Sequence, residues 1–238
     1  MYAPITEVFC SVQGEGPYVG SRQAFVRFSG CNLSCPYCDT PTENPETCRF
    51  EERSGSGSFS YLENPLSTDA VERMVASFSK IHSVSLTGGE PLLHADFISE
   101  LNVARPLYLE SNMTLPRLAK KIRDKVSYVS GDVKIIPPSS VEDFEQHIES
   151  TIECFRILKN NKERDCFCKI VVTKDTDQDD IEGVVGAITG YISCLVLQPV
   201  SQAEDLPKPG YLLDLQEKLL DQIDTKIIPQ THRMWGCL

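Results

Sequence analysis

Phe25-Val26-Arg27-Phe28-Ser29-Gly30-Cys31-Asn32-Leu33-Ser34-Cys35-Pro36-Tyr37-Cys38 joins an aromatic and β-branched run directly to three cysteines within eight residues. The run, from Ala24 to Phe28, predicts a strand, and Ser29-Gly30 ends it. A loop that leaves a strand in this way can fold three thiolates around one centre. Such a set suits two kinds of site. Zinc needs a fourth ligand, which Cys48 could provide after a gap of nine residues. A 4Fe-4S cluster on three thiolates keeps one iron open to a ligand from outside. The other cysteines are scattered, and in a reducing compartment a scattered cysteine is usually a small buried hydrophobe.

Working outward, short apolar runs alternate with helical patterns. Val84-Ser85-Leu86, Leu107-Tyr108-Leu109, Ser127-Tyr128-Val129, Lys169-Ile170-Val171-Val172 and Cys194-Leu195-Val196-Leu197 join the first run to give six candidate strands. Lys226-Ile227-Ile228 is a short last one. Val71, Met74, Val75 and Phe78 lie at helical spacing behind Thr68, read as an N-cap. Val141, Phe144, Ile148, Ile152 and Phe155 form a second stripe, opened by Ser139 and Glu142 at capping-box spacing. Ile181, Val184, Val185 and Ile188 mark a third helix; Leu212, Leu215 and Leu219 mark the last. Alternation of this kind predicts parallel βα units. Right-handed crossovers would curl about six strands into an open, partial (β/α) barrel, with ligands at the carboxyl ends of the strands. The whole chain, 1–238, reads as one domain. Residues 41–66, with Ser54-Gly55-Ser56-Gly57-Ser58, read as a long loop.

Composition excludes several classes. With 23 Lys+Arg against 34 Asp+Glu the net charge is −11, which gives no general attraction to nucleic acid or anionic lipid. No run of about 18 apolar residues predicts a membrane span, and the amino terminus lacks the pattern of a signal peptide. The expectation is a soluble cytoplasmic protein. Cys166 and Cys168 alternate along a strand and so share a face. With Cys154 and Cys194 they number four, but no loop gathers them, and packing is the expectation.

A second motif follows the second strand: Leu86-Thr87-Gly88-Gly89-Glu90-Pro91. Glycines allow close backbone approach to a ligand, and a carboxylate can receive an ammonium group. With the Cys-x3-Cys-x2-Cys pattern of Cys31, Cys35 and Cys38, this resembles the radical S-adenosylmethionine superfamily. The resemblance implies a 4Fe-4S cluster on those three cysteines and S-adenosylmethionine chelated to the open iron. It implies a reductively formed 5′-deoxyadenosyl radical, and thus an electron donor such as flavodoxin or ferredoxin. Tyr37, before the last cysteine, would pack near adenine. Gly88, Gly89 and Glu90 would contact the cofactor, and Asp132, Lys134 and Gln198 fall to it as well, Lys134 and Asp132 pairing with its carboxylate and ribose.

The amino-terminal Glu7-Val8-Phe9-Cys10-Ser11-Val12-Gln13-Gly14-Glu15-Gly16-Pro17 narrows the field. Together with Cys38-Asp39-Thr40, Glu110-Ser111-Asn112, Asp132-Val133-Lys134 and Pro229-Gln230-Thr231-His232-Arg233, it resembles the 7-carboxy-7-deazaguanine synthase family. That resemblance implies ring contraction of 6-carboxy-5,6,7,8-tetrahydropterin with loss of ammonia, on the route to the 7-deazapurines queuosine and archaeosine. It implies a homodimer, and magnesium held by the Thr40 hydroxyl and the substrate carboxylate. A pterin edge offers an amide and an amino group that Gln13 and Glu15 could read. Arg27 could fork onto the carboxylate. Glu110 and Asn112 could hold a second polar edge, Gln230 would lie close by, and His232 is the candidate for proton transfer. Each has a plain alternative: a solvated glycine turn for Gln13 and Glu15, an exposed strand position for Arg27, a turn cap for Glu110, Asn112 and Thr40. The competing function is a radical-activating enzyme for an anaerobic ribonucleotide reductase or similar glycyl-radical partner, because Gln-Gly-Glu-Gly also opens some of those. Met113 stands where a glycine often ends the third strand.

Overall fold

The computed structural model describes residues 1–35, 38, 43–135 and 138–237, of residue 235 the backbone alone. In chain order the strands and helices are β1 (Tyr2–Ala3), β2 (Ile5–Val12), β3 (Arg22–Phe28), β4 (Thr47–Glu51), β5 (Phe59–Glu63), β6 (Leu66–Ser67), α1 (Thr68–Ser77), β7 (Ser83–Gly88), α2 (Ala95–Glu100), β8 (Leu107–Ser111), α3 (Pro116–Ile122), β9 (Val126–Val133), α4 (Phe144–Ile157), β10 (Asp165–Val172), α5 (Gln178–Ile188), β11 (Leu195–Pro199), α6 (Pro209–Leu220), β12 (Thr225–Ile227) and α7 (His232–Trp235). Ten strands make one open sheet in the order β12-β11-β10-β9-β8-β7-β3-β2-β4-β5. From β3 to β12 every pairing is parallel, which is the predicted α/β half.

The period of two in these strands divides their side chains between two environments. One parity packs under the helices: Leu109, Val129, Val133, Cys166, Cys168, Ile170, Leu195 and Leu197 lie in the main core with Cys154. The other parity lines the concave face and is graded along the strands. At their amino ends stand Tyr108, Phe167 and Val196. Tyr18 closes this end, its ring edge-on to Tyr128 at 4.9 Å and its hydroxyl donating to Asp165 Oδ2 at 2.6 Å. One step along the same parity come Glu110, Ser130, Lys169 and Gln198, and two steps along comes Asp132, all polar and all lining a cavity. An apolar plug of this kind, worth roughly 1.5–3 kcal/mol for each large side chain buried, gives the polar residues above it a dry floor.

Four expectations are corrected. The stretch from 43 to 66 is not a loop: β4 and β5 form an antiparallel hairpin, and β4 pairs with β2. The Ser-Gly run is only its tip, ordered by Glu51, whose carboxylate accepts from the amides of Gly55 (3.2 Å) and Gly57 (2.9 Å). Cys48 on β4 is fully buried in the core, where burial pushes its thiol up to about 12, so it is no fourth ligand for zinc. Helix α4 starts at Phe144 behind Asp143, whose side chain accepts from the Gln146 amide at 3.0 Å. Ser139 does not cap it; Ser139 and Ser140 bind Ser34 of the cysteine loop instead. At α1 the cap is Ser67, accepting from the Ala70 amide, one residue before Thr68.

Candidate functional site

The cysteine loop leaves β3 at Gly30, which takes the left-handed region (φ +81°), as does Gly88 at the end of β7 (φ +114°). The two strand ends are sewn together by the Gly89 amide to Phe28 O (3.0 Å) and the Glu90 amide to Gly30 O (2.9 Å). A Cβ at Gly89 would stand 2.0 Å from Gly30 O, so glycine is needed there for backbone to meet backbone. Gly88 and Gly89 thus line the cavity while fixing the cysteine loop itself. Across from it, Asn112 Nδ2 donates to Asn32 Oδ1 (3.0 Å) and approaches Cys31 Sγ (3.8 Å), and the Leu33 amide donates to the same sulfur at 3.4 Å. Asn112 also caps its own turn, its Oδ1 accepting from Thr114. Met113 beside it is fully buried at φ +59°, a conformation that glycine would adopt without strain.

Cys31, Cys35 and Cys38 all line the cavity. Burial raises the Cys31 and Cys35 thiols, and the other cysteines of the trio raise them further, while Lys134 acts the other way. Sulfurs that feel one another beside donors and a lysine are a suitable set for a cation-rich cluster, which takes thiolates.

Glu90 is placed differently from the expectation. It is fully buried, and its oxygens accept from the Leu92 amide (2.9 Å), Ser111 Oγ (2.9 Å) and the Asn112 amide (2.7 Å). It lies beneath the lining, tying β7 to β8. Burial pushes its carboxyl up to about 7 against those hydrogen bonds.

The remaining side chains form a polar network around a cavity of about 280 Å³. Gln13 donates to Gln23 Oε1 (3.0 Å) and Glu110 Oε1 (3.1 Å) and accepts from the Glu15 amide (3.0 Å). Glu110 accepts in addition from Ser85 (2.7 Å) and Thr87 (3.1 Å). Arg27 Nε pairs with the buried Glu7 at 2.8 Å, and Arg49 takes the other Glu7 oxygen. Glu15 pairs with Lys169 and accepts from Gln230 Nε2 at 2.6 Å. Burial pushes the Glu15 carboxyl up, but Lys169, Gln230 and His232 outweigh it and hold it down at about 2. The carboxyl-terminal segment docks here through the Thr231 amide to Gly14 O (2.9 Å), and a Cβ at Gly14 would stand 2.1 Å from His232 Nδ1.

Two buried acceptors in this lining have no partner: Asp132 Oδ1 and Gln198 Oε1. Both lysines that reach Asp132, Lys134 at 3.0 Å and Lys169 at 3.3 Å, take its Oδ2. Unpartnered buried polar atoms are rare in proteins, and a pair in one cavity fits a ligand that brings its own donors. A ribose with hydroxyls and a sulfonium amino acid with an ammonium group is such a ligand. The polar lining and the thiol trio therefore fit a cluster and S-adenosylmethionine: Cys31, Cys35 and Cys38 would hold the one, and Asp132, Lys134 and Gln198 would lie beside the other.

The structure thus gathers Gln13, Glu15, Arg27, Cys31, Cys35, Cys38, Gly88, Gly89, Glu110, Asn112, Asp132, Lys134, Gln198, Gln230 and His232 around one cavity and leaves Glu90 beneath it. Tyr37 and Thr40 lie outside the described residues. Sequence reasoning missed Lys169, although a lone lysine in the run Cys166-Phe167-Cys168-Lys169-Ile170-Val171-Val172 is a signal of a buried charge.

An open α/β sheet with a cysteine trio after its first parallel strand and Gly-Gly-Glu after the next defines a class, and the Radical SAM superfamily model matches residues 25–188. The chain belongs to the radical SAM superfamily. It is 42% identical over 238 residues to 7-carboxy-7-deazaguanine synthase of Archaeoglobus fulgidus, covering 99% of both chains. To the protein of that name from Geobacter sulfurreducens it is 39% identical, over 99% of this chain and 98% of the relative. Within the superfamily, then, its family is that of the 7-carboxy-7-deazaguanine synthases. The fold agrees with the crystal structure of QueE from Escherichia coli, at a TM-score of 0.59 and 21% identity, covering 98% of this chain and 95% of that one.

Proposed function

We propose that this protein converts 6-carboxy-5,6,7,8-tetrahydropterin to 7-carboxy-7-deazaguanine with loss of ammonia, for 7-deazapurine synthesis. The observation that carries the reading is the single cavity in which the cysteine trio and two unpartnered buried acceptors face the Gln13–Glu15 turn. When bound, the cluster and S-adenosylmethionine would supply a carbon radical able to abstract hydrogen. The chain's own residues do the rest. Glu15, held as a carboxylate, offers acceptor oxygens to the donor edge of a pterin. Glu110 fixes Gln13 in place. Glu7 orients Arg27, whose remaining donors suit a substrate carboxylate. His232, on α7, is the group suited to take or return a proton as the amine leaves. The Tyr18, Tyr108 and Phe167 plug excludes water from below.

Magnesium belongs to the same reading, with Thr40 and the substrate carboxylate as its ligands. A reduced flavodoxin or ferredoxin as donor, a homodimer and a cytoplasmic location complete it. Among the described residues no helix is long and apolar enough to cross a membrane.

The test is turnover under anaerobic conditions of the reconstituted protein with the pterin, S-adenosylmethionine and a reductant, and no second protein. One ammonia per deazaguanine is expected, lost on Cys31→Ala together with the brown colour. Failure with the pterin alongside activation of a reductase partner would replace this reading with the radical activase. Magnesium should stimulate the parent and Thr40→Ser but not Thr40→Ala, and an equal response in all three would remove Thr40 from the site.

A further inference from the structure

The most enclosed cation of the cavity is Lys169, on the concave parity of β10 and 7% exposed. Its ammonium pairs with Glu15, from the turn after β2, and with Asp132 Oδ2 at 3.3 Å, from β9. The Glu110 carboxylate on β8 acts on it as well. Two carboxylates from different elements thus pair with one ammonium, and a third acts on it without direct contact. Glu15 stands with Gln13, Gln230 and His232. Asp132 stands with Lys134 and, through Lys134, beside Cys35.

We infer that Lys169 is a positioning residue that ties the two halves of the cavity together, holding Glu15 for the donor edge of a pterin and Asp132 for the donors of the cofactor. A compact ammonium can serve several carboxylates at once. Without it these carboxylates would face one another in a low dielectric, where like charges close together drive one to take up a proton. The charged and titratable groups around Glu15 are Lys169 on β10, Asp132 on β9 with Lys134 after it, Glu110 and Tyr108 on β8, and His232 on α7. Lys169 is the cation paired with both Glu15 and Asp132. Burial raises the Glu15 carboxyl whatever its partner, so loss of the ammonium removes the chief opposing influence. The ligand named rests on the pterin reading, whereas the state of Glu15 can be read on the protein itself.

The experiment uses cluster-loaded, anaerobic protein and four variants: Lys169→Met, Lys169→Arg, Glu15→Gln and Glu15→Gln/Lys169→Met. An infrared titration follows the protonated carboxyl band of Glu15, identified by its absence from the double variant. Lys169→Met should show that band between pH 5 and 8, and the parent and Lys169→Arg should not. Pterin affinity of Lys169→Met should fall roughly tenfold or more relative to the parent at pH 6, and by less at pH 8. S-adenosylmethionine should bind roughly tenfold or more weakly to the double variant than to Glu15→Gln. A purely structural role would not produce the pH dependence. No band, with pterin affinity within about twofold of the parent at both pH values, overturns the inference for Glu15. Equal cofactor affinity in the double and single variants overturns it for Asp132. A parent that fails to bind the pterin removes the proposed substrate, and the band still decides the role of Lys169. Lys169→Gln, which keeps a donor, replaces Lys169→Met if the latter does not fold.

Discussion

Two glutamates, Glu15 lining the cavity and Glu90 beneath it, are driven in opposite directions. Glu15 is held down at about 2, and Glu90, some strands away, is pushed up to about 7. Burial acts upward on both. Glu15 has an ammonium against it, whereas the oxygens of Glu90 meet two amides and a hydroxyl. At Glu90 two amides, a hydroxyl and the more distant Lys134 do not offset the desolvation, whereas at Glu15 the ammonium in direct contact does. The molecule therefore has one acid built to stay ionised where ligands gather, and another that joins two strand ends and can carry a proton.

The comparison breaks most readily at the charged pair. Glu15→Ala leaves Lys169 with less compensation and should cost about 3–5 kcal/mol in denaturant-induced unfolding. A cost below about 1 kcal/mol would mean that Asp132 and Glu110 suffice for the ammonium. Next comes the pH dependence, in which the two acids have opposite signs. The lowered Glu15 favours folding above about 4.5 and loses that contribution as pH falls toward 2. The raised Glu90 favours folding when protonated, below about 4.5, and that contribution is lost as pH rises through about 7, up to roughly 3 kcal/mol. Unfolding of the parent against Glu90→Gln between pH 5 and 8 isolates the second effect: the parent should lose ground to the variant as pH rises. At a fixed pH of 6, Glu90→Gln should itself cost about 1–3 kcal/mol, because its amide group turns a donor toward the Leu92 or Asn112 amide. The smallest effect is expected for Ser111→Ala, about 1 kcal/mol, with the Glu90 midpoint moving above 7 because a hydrogen bond to the charged form is gone. A midpoint that moves down would show that Ser111 stabilises the protonated acid instead.

The two glutamates were not equally legible. Gly-Gly-Glu marks Glu90 by motif, but the motif does not say that the carboxylate turns inward to Asn112 and Leu92. Glu15 was visible beside Gln13, while its partner Lys169 was not. Parallel strands buried on both faces give no polar alternation to show which parity faces a ligand. In β10 the two parities read Cys166, Cys168, Ile170 and Phe167, Lys169, Val171, and only the neighbouring strands settle which set is concave. The cysteine trio was fully legible because its three thiols come from a single short loop and line one cavity. The β4–β5 hairpin was not, since its strands are short and its glycine-serine tip dominates the local composition. The parallel strands and the α5 and α6 helices were legible from periodicity alone, whereas the one-turn stripes of α2 and α3 were too short to register.

The docking of Gln230 and Lys169 on Glu15 also has a consequence for how the molecule comes into being. Their separations along the chain are 215 and 154 residues. During synthesis the Gln13–Glu15 turn is made early and waits, solvated and incomplete, while almost every strand of the parallel sheet is added. Contacts so remote in sequence close late, after the loop entropy of the intervening chain has been overcome by the sheet itself. The scaffold can thus be compact and helical while the cavity is still missing one wall. The wall that carries Gln230 and His232 comes from the last part of the chain to be synthesised, so the cavity can close only after the sheet beneath it exists.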